Sequence, residues 1–363
     1  MPKALVVLDL DEVLREAVAS EASDIHVKVG SPPIMRVDGH LDRMDRPVVA
    51  AAETERVAFA IMPKARAEEF LATSEADFAY SVAGLGRFRV NVLRQRGAVG
   101  LVLRRVQSTI ASFEQLGLPQ VVRRLAEHQR GLVLVTGPTG SGKTTTLAAM
   151  IDHINDTASR HIVTIEDPIE VLHSDKQSIV NQREVGTDTE DFGSALKRVL
   201  RQDPDVILIG EMRDTDTVRT ALSAAETGHL VFSTLHTISA TETVSRIIDF
   251  FPPFEQRQVR MALAGSLRGV VSQRLVECRS GGRAAAIEVL VATGRVFDKI
   301  VNAEETHEIE EIIADGEYYG MQTFDQSLLA LHRRGVIDLR EALGASTHPH
   351  DLRLMIEQYQ AAA

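Results

Sequence analysis

The segment Gly137-Pro138-Thr139-Gly140-Ser141-Gly142-Lys143-Thr144 sets glycines, a lysine and a threonine at the spacing G-x-x-x-x-G-K-T. Glycines let a backbone wrap closely around a triphosphate and aim several N–H groups at its oxygens. An apolar run, Leu132–Val135, precedes the segment, and the helical stretch LAAMIDHI follows it. A strand leading in and a helix leading out is the setting in which this motif binds phosphate, the helix N-terminus adding partial positive charge. Lys143 is then expected to bridge the β- and γ-phosphates, and the Thr144 hydroxyl to bind Mg²⁺. The bland alternative is a glycine-rich turn that fits the pattern by chance. Neither N-K-x-D nor T-K-x-D, which would select guanine, occurs in the chain, so ATP is the expected nucleotide.

Carboxylates stand at the ends of further apolar runs. Asp205-Val206-Ile207-Leu208-Ile209-Gly210-Glu211 reads as a buried strand ending in an acid, with Gly210 where many ATPases place the metal aspartate. At the carboxyl end of such a strand Glu211 can hold the Mg²⁺ shell through water. The run Ile162–Ile165 ends in Glu166-Asp167-Pro168-Ile169-Glu170, and proline cannot continue an interior strand, so the acids cluster at its tip. Hydrolysis needs a group that orients and partly deprotonates the attacking water, and position alone favours Glu166. His229 and His236 bracket a third run, Leu230–Phe232. A histidine beside a strand is usually structural. Together with Thr234 and Thr237, this pair could instead report the γ-phosphate.

Nearer the N-terminus, Arg87 and Arg89 alternate along an extended stretch and so share a face, while Arg104 closes the next strand. Cations at that edge could neutralise charge developing on the γ-phosphate, as an arginine finger does. A solvated basic face is the alternative.

These residues need two domains to carry them, and 363 residues are enough for two. Residues 1–107 read as an α+β unit. Helical spacing in Val13, Leu14, Ala17 and Val18 leads to strands around Ile25 and Met35, with a turn at Asp38-Gly39. Helices over 50–62 and 64–72 and strands over Asp77–Val82, Arg87–Leu93 and Gly100–Val106 complete a sheet expected to be mixed, with helices on one face. Residues 108–113 form a linker. From 114 to 290, short apolar runs separated by helices predict a mainly parallel sheet, and 291–363 is a helical C-terminal segment.

Composition narrows the classes. Hydrophobic residues at 44% exclude a disordered chain, and no run of about 18 apolar residues is present to span a membrane. The first residues lack the pattern of a signal peptide, so the cytoplasm is expected. One cysteine, Cys278, excludes an internal disulfide or a cysteine zinc cluster. With 51 acidic against 40 basic residues, the net charge of -11 weighs against a nucleic-acid partner.

In combination the segments resemble the secretion-superfamily ATPases, the ring motors of type II secretion and type IV pili. GPTGSGKTTT (137–146) is similar to their Walker A, extending the nucleotide contacts to Thr145. TIEDPIE (164–170) resembles their Asp box, IGEMRD (209–214) their Walker B with its glycine, and TGHLVFSTLHT (227–237) their His box. ASDIHV (22–27), PPIMRVDG (32–39) and GRFRVN (86–91) resemble their N-terminal domain, so the likeness covers nearly the whole chain. The resemblance moves the general base from Glu166 to Glu170, the last glutamate of the Asp box.

Retraction ATPases fit best, since extension and type II secretion members carry a four-cysteine zinc insertion that one cysteine cannot build. VNQREVGTDT (180–189) and MQTFDQSLLALHRRGVI (321–337) also resemble retraction-motor segments. One departure stands out: Gly294-Arg295-Val296-Phe297-Asp298-Lys299-Ile300 occupies the place of their Ala-Ile-Arg-Asn-Leu-Ile motif.

The resemblance implies an α/β fold, a RecA-like P-loop ATPase domain joined to a smaller N-terminal α+β (PAS-like) domain. It implies a homohexamer working with ATP and Mg²⁺ on an inner-membrane pilus platform protein, peripheral to the membrane through its partners. An accessory paralogue of the retraction motor and a RecA-like nucleic-acid translocase are the rival readings.

Overall fold

Asp9 opens the first helix, its carboxylate accepting the N–H of Glu12, and α1 (Leu10–Ala19) then buries Val13, Leu14 and Ala17. The computed structural model describes residues 8–362, with side chains over 8–359. It divides into two compact units, one up to Ser108 and one from Thr109 onward.

In the first unit, α1 is followed by β1 (Asp24–Val27), β2 (Ile34–Val37), β3 (His40–Arg43), α2 (Ala51–Ile61), α3 (Lys64–Thr73), β4 (Glu75–Val82), β5 (Gly86–Gln95) and β6 (Ala98–Arg105). Asp38 and Gly39, at φ of 49° and 84°, join β2 to β3 as a two-residue hairpin with Val37 opposite His40. The six strands run β3-β2-β1-β6-β5-β4, and every neighbouring pair is antiparallel. The expectation of a mixed sheet is therefore corrected. The stretch that carries α2, α3, β4 and β5 is long enough to return β6 alongside β1 in the opposite sense.

One face of this sheet, with Ile25, Phe88, Val90, Leu101 and Leu103, packs on α1–α3 through Leu14, Val57 and Phe70. Alternation puts Arg87, Arg89 and Asn91 on the other face.

The second unit begins with α4 (Gln120–Ala126), β7 (Gly131–Thr136), α5 (Lys143–Thr157), β8 (His161–Glu166), β9 (Ile179–Glu184), α6 (Phe192–Val199), β10 (Val206–Ile209) and α7 (Thr215–Glu226). It continues with β11 (Leu230–Leu235), α8 (Ala240–Asp249), α9 (Pro253–Ser266), β12 (Leu267–Glu277) and β13 (Arg283–Val291). The closing helices are α10 (Gly294–Val301), α11 (Ile309–Ala314), α12 (Phe324–Arg333), α13 (Leu339–Ala345) and α14 (Pro349–Ala362).

The seven strands lie in the order β13-β12-β7-β11-β10-β8-β9, all parallel except the β12–β13 hairpin. Strands β7, β10 and β11 are buried along their whole length, as a sheet covered on both faces requires. Helices α6 to α9 cover one face around Ile207, Val218 and Val244. Helices α4 and α5 cover the other around Met150, Val133 and Phe232. After β7 the chain does not move to a neighbouring strand: β11 and β12 flank it instead. Open α/β sheets form their ligand crevice at such a point, outside the carboxyl ends of the strands.

Candidate functional site

At that edge the loop from Gly137 to Gly142 joins β7 to α5. Gly137 has φ +138°, and a Cβ there would lie 2.4 Å from the Gln273 carbonyl and 2.6 Å from Ser141 Oγ, so only glycine fits. The loop closes on Lys143, whose Nζ donates to the carbonyls of Gly137 at 2.7 Å and Pro138 at 3.0 Å. Burial lowers the lysine's pKa, while Glu211 and Glu170 act to raise it.

The loop floors an open cleft of about 480 Å³. Thr139, Gly140, Gly142, Lys143, Thr144 and Thr145 line it, together with Glu166, Glu170, Glu211, Thr234 and His236 from the ends of β8, β10 and β11. Glu211 pairs with the guanidinium of Arg213 and lies 3.4 Å from His236 Nε2. Thr234 Oγ1 donates to the Gly210 carbonyl at 2.6 Å, tying the two strand ends together. A Cβ on Gly210 would already stand 3.3 Å from the Ile165 carbonyl and 3.5 Å from Glu166 Cα. A side chain at 210 would therefore sit tight against the end of β8.

Glu166 and Glu170 differ in environment. Glu166 is buried, and its Oε1 accepts from Thr164 Oγ1 at 2.6 Å and Gln182 Nε2 at 3.1 Å, while its carboxylate also takes the backbone N–H of Glu170. Burial raises its pKa against these hydrogen bonds. Glu170 is exposed to the cleft.

The expected histidine pair does not meet. His229 precedes β11, at the amino end of the sheet, where its Nδ1 donates to the Ala224 carbonyl at 3.0 Å. Its own carbonyl accepts from Gly131 N–H, at the start of β7. A six-residue strand of roughly 20 Å separates it from His236. Within this unit His229 lies away from the cleft, and of the two only His236 lines it. Thr237 is buried and bonds Thr243 Oγ1 at 2.7 Å, so it too turns away.

In the first unit Arg89 and Arg104 stand directly opposite each other in the β5–β6 register. Arg104 Nε donates to Asp24 Oδ1 at 2.7 Å, and Arg36 approaches the other oxygen at 4.0 Å. Burial would raise the Asp24 carboxyl, but the hydrogen bonds from Arg104 and Ser23 outweigh it and hold its pKa below the ordinary value.

Sequence reading missed His173, Phe192, Leu275 and Arg283 in the cleft wall. Burial pushes His173 down to about 4, so its ring is neutral near pH 7. Leu275 and Arg283 come from the β12–β13 hairpin, which Gly281-Gly282 between two apolar runs could have signalled.

Thr144 and Glu211 offer one hydroxyl and one carboxylate on the same cleft, and no group of three metal-ligating acids, histidines or cysteines occurs among the described residues. That donor set suits a Mg²⁺ ion that arrives with a triphosphate and keeps its waters, not an all-protein cage.

The family described as "Type II/IV secretion system protein" matches residues 2–319. The chain is 44% identical over 335 residues to the type IV pilus retraction ATPase PilT of Pseudomonas aeruginosa, covering 92% of this chain and 97% of that one. It is 42% identical to the type IV pilus ATPase PilU of the same organism, covering 96% of this chain and 92% of the other. Among solved structures it superposes on the pilus retraction motor PilT with bound ADP at a TM-score of 0.86 and 46% identity, over 95% of this chain and 99% of that one.

Proposed function

The chain belongs to the family of type II/IV secretion system proteins and is a nucleotide-binding ATPase with a RecA-like domain; on that premise we propose that it is a hexameric ring motor that spends ATP to retract type IV pili. The observation that carries this reading is the cleft at the carboxyl edge of the parallel sheet. It gathers Lys143, Thr144, Glu170, Glu211 and His236 around the loop of Gly137, Pro138, Thr139, Gly140, Ser141 and Gly142.

In the proposed chemistry the loop N–H groups and Lys143 hold the β- and γ-phosphates, with Thr145 on the phosphate chain. Mg²⁺, held by Thr144 and, through water, Glu211, would neutralise charge on the β- and γ-oxygens. Glu170 orients the attacking water and takes its proton as the oxygen bonds to the γ-phosphorus and the bridging bond to ADP breaks. Its exposure to the cleft suits that task, whereas the Glu166 carboxylate is already engaged by three donors. His236, which lies beside Glu211, is proposed to register the γ-phosphate. Arg89 and Arg104 are proposed to neutralise the charge that develops during transfer. Residues 108–113 are proposed as the hinge between an N-terminal domain, 1–107, and an ATPase core, 114–290, that carries the helical segment 291–363. A hinge swing coupled to hydrolysis would then move an inner-membrane platform protein.

Native mass spectrometry with ATP, alongside steady-state hydrolysis, tests the ring. A hexamer with magnesium-dependent turnover is expected. Monomers alone at micromolar concentration would contradict it. An accessory paralogue is the second reading, favoured by the altered segment on α10. There Val296 and Ile300 are buried, so the helix keeps its apolar packing, and Arg295 is the motif's one polar residue that survives, on the exposed side.

A further inference from the structure

Glu170 projects into the cleft with an exposed side chain, so its aim depends on how its backbone is held. Strand β9 supplies that hold. Its residues Gln182 and Glu184 alternate onto one face, and Glu184 stands opposite Glu166 in the β8–β9 register. The Glu184 carboxylate, 4% exposed, accepts the N–H of Ile169 at 3.1 Å and is buttressed by Thr187 Oγ1 at 3.3 Å. Gln182 uses each of its polar hydrogens and its carbonyl oxygen. Its Nε2 donates to Val171 O at 2.8 Å and to Glu166 Oε1 at 3.1 Å, and its Oε1 accepts from His173 N–H at 2.8 Å. With the Glu170 N–H on Glu166, residues 169, 170, 171 and 173 are each fixed through a backbone group.

We propose that Gln182 and Glu184 are positioning residues for hydrolysis, gripping the chain on both sides of Glu170 so that its carboxylate meets the attacking water. Neither side chain lines the cleft, so neither acts on nucleotide directly. A misplacement of about 1 Å in a reacting group can cost about a hundredfold in rate. The inference rests on Glu170 as the base.

The test uses the full-length chain and measures single-turnover hydrolysis, KM for ATP and binding of a fluorescent ATP analogue. Gln182→Ala and Glu184→Ala are expected to lower kcat by roughly tenfold or more while KM and affinity stay within about twofold. Glu184→Gln, which keeps an oxygen to accept the Ile169 N–H, is expected to recover most of what the alanine loses. In a Glu170→Gln background the same alanine substitutions are expected to change the residual rate by less than about twofold, because they act through Glu170. If Glu170→Gln itself turns over at the wild-type rate, the assignment of the base fails. If Glu170→Gln is slow but the Gln182 and Glu184 variants keep wild-type kcat, or multiply its defect, the positioning role alone is overturned. Should Glu184→Ala fail to fold, Gln182→Ala and Glu184→Gln decide the matter by the same criteria.

Discussion

The backbone N–H of Glu170 donates to the buried carboxylate of Glu166, so the two acids that compete for the role of base are joined, one holding the other. A group whose oxygens are occupied by Thr164, Gln182 and Glu170 is poorly placed to take a proton from water. Glu170→Gln is therefore expected to bind ATP with near wild-type affinity and to hydrolyse it about a hundredfold more slowly. Glu166→Gln is expected to lose less. Steady-state kinetics with a binding assay on each variant decides, and the reverse order would return the role to Glu166.

Gly137→Ala is expected to cost nucleotide binding. The new Cβ would meet the Gln273 carbonyl at 2.4 Å, at a φ of +138° that alanine tolerates poorly. Relief of that clash must shift the loop whose N–H groups face the phosphates, and the strain is on the order of 1–3 kcal/mol. ATP affinity measured by calorimetry is expected to fall about tenfold or more. Lys143→Ala is expected to abolish binding in the same assay, because it removes the ammonium that the loop sets against the β- and γ-phosphates.

Arg104 carries an ion pair to Asp24, yet its side chain is 67% exposed, which leaves it free to exchange partners. Arg104→Ala and Arg89→Ala are expected to bind ATP nearly normally and to lose most of kcat. Wild-type kcat in both would make them surface charge, and would leave the first unit without a part in the chemical step.

Glu288 gives the fold a pH dependence. Burial pushes its carboxyl up to about 7, although the Ala240 N–H and Arg274 favour ionisation; Glu310 and Asp325 add to the rise. Because the folded value lies above the ordinary 4.5, the folded state holds the proton more tightly, and stability is lost as pH rises from 4.5 through about 7. Glu288→Gln keeps an acceptor for Ala240 and removes the titration. Between about pH 5 and about pH 8 its Tm is expected to fall less than that of the wild type. Parallel curves would contradict the assignment.

The phosphate loop and the buried strands were legible because glycine spacing and runs such as Val206–Ile209 have few other physical solutions. Strand β9 was not: it lies at the sheet edge, with only Glu184 buried among its six residues, so no apolar pattern announces it. Its proposed role lies in side-chain bonds to a loop nine or more residues away, which spacing alone does not reveal. Strand β3 is exposed throughout and equally silent. The histidines misled because a buried strand of six residues puts its two ends on opposite edges of the sheet. The antiparallel first sheet was hidden because strand direction follows from how long connections return, not from local pattern.

A motor that retracts pili is tested by surface piliation and twitching in cells whose own copy of this gene is deleted. Such cells are expected to carry excess pili that do not retract, with motility restored by the wild-type gene and not by the Lys143→Ala or Glu170→Gln alleles. Cells without pili, or cells that pull in their pili and move as before, would contradict it.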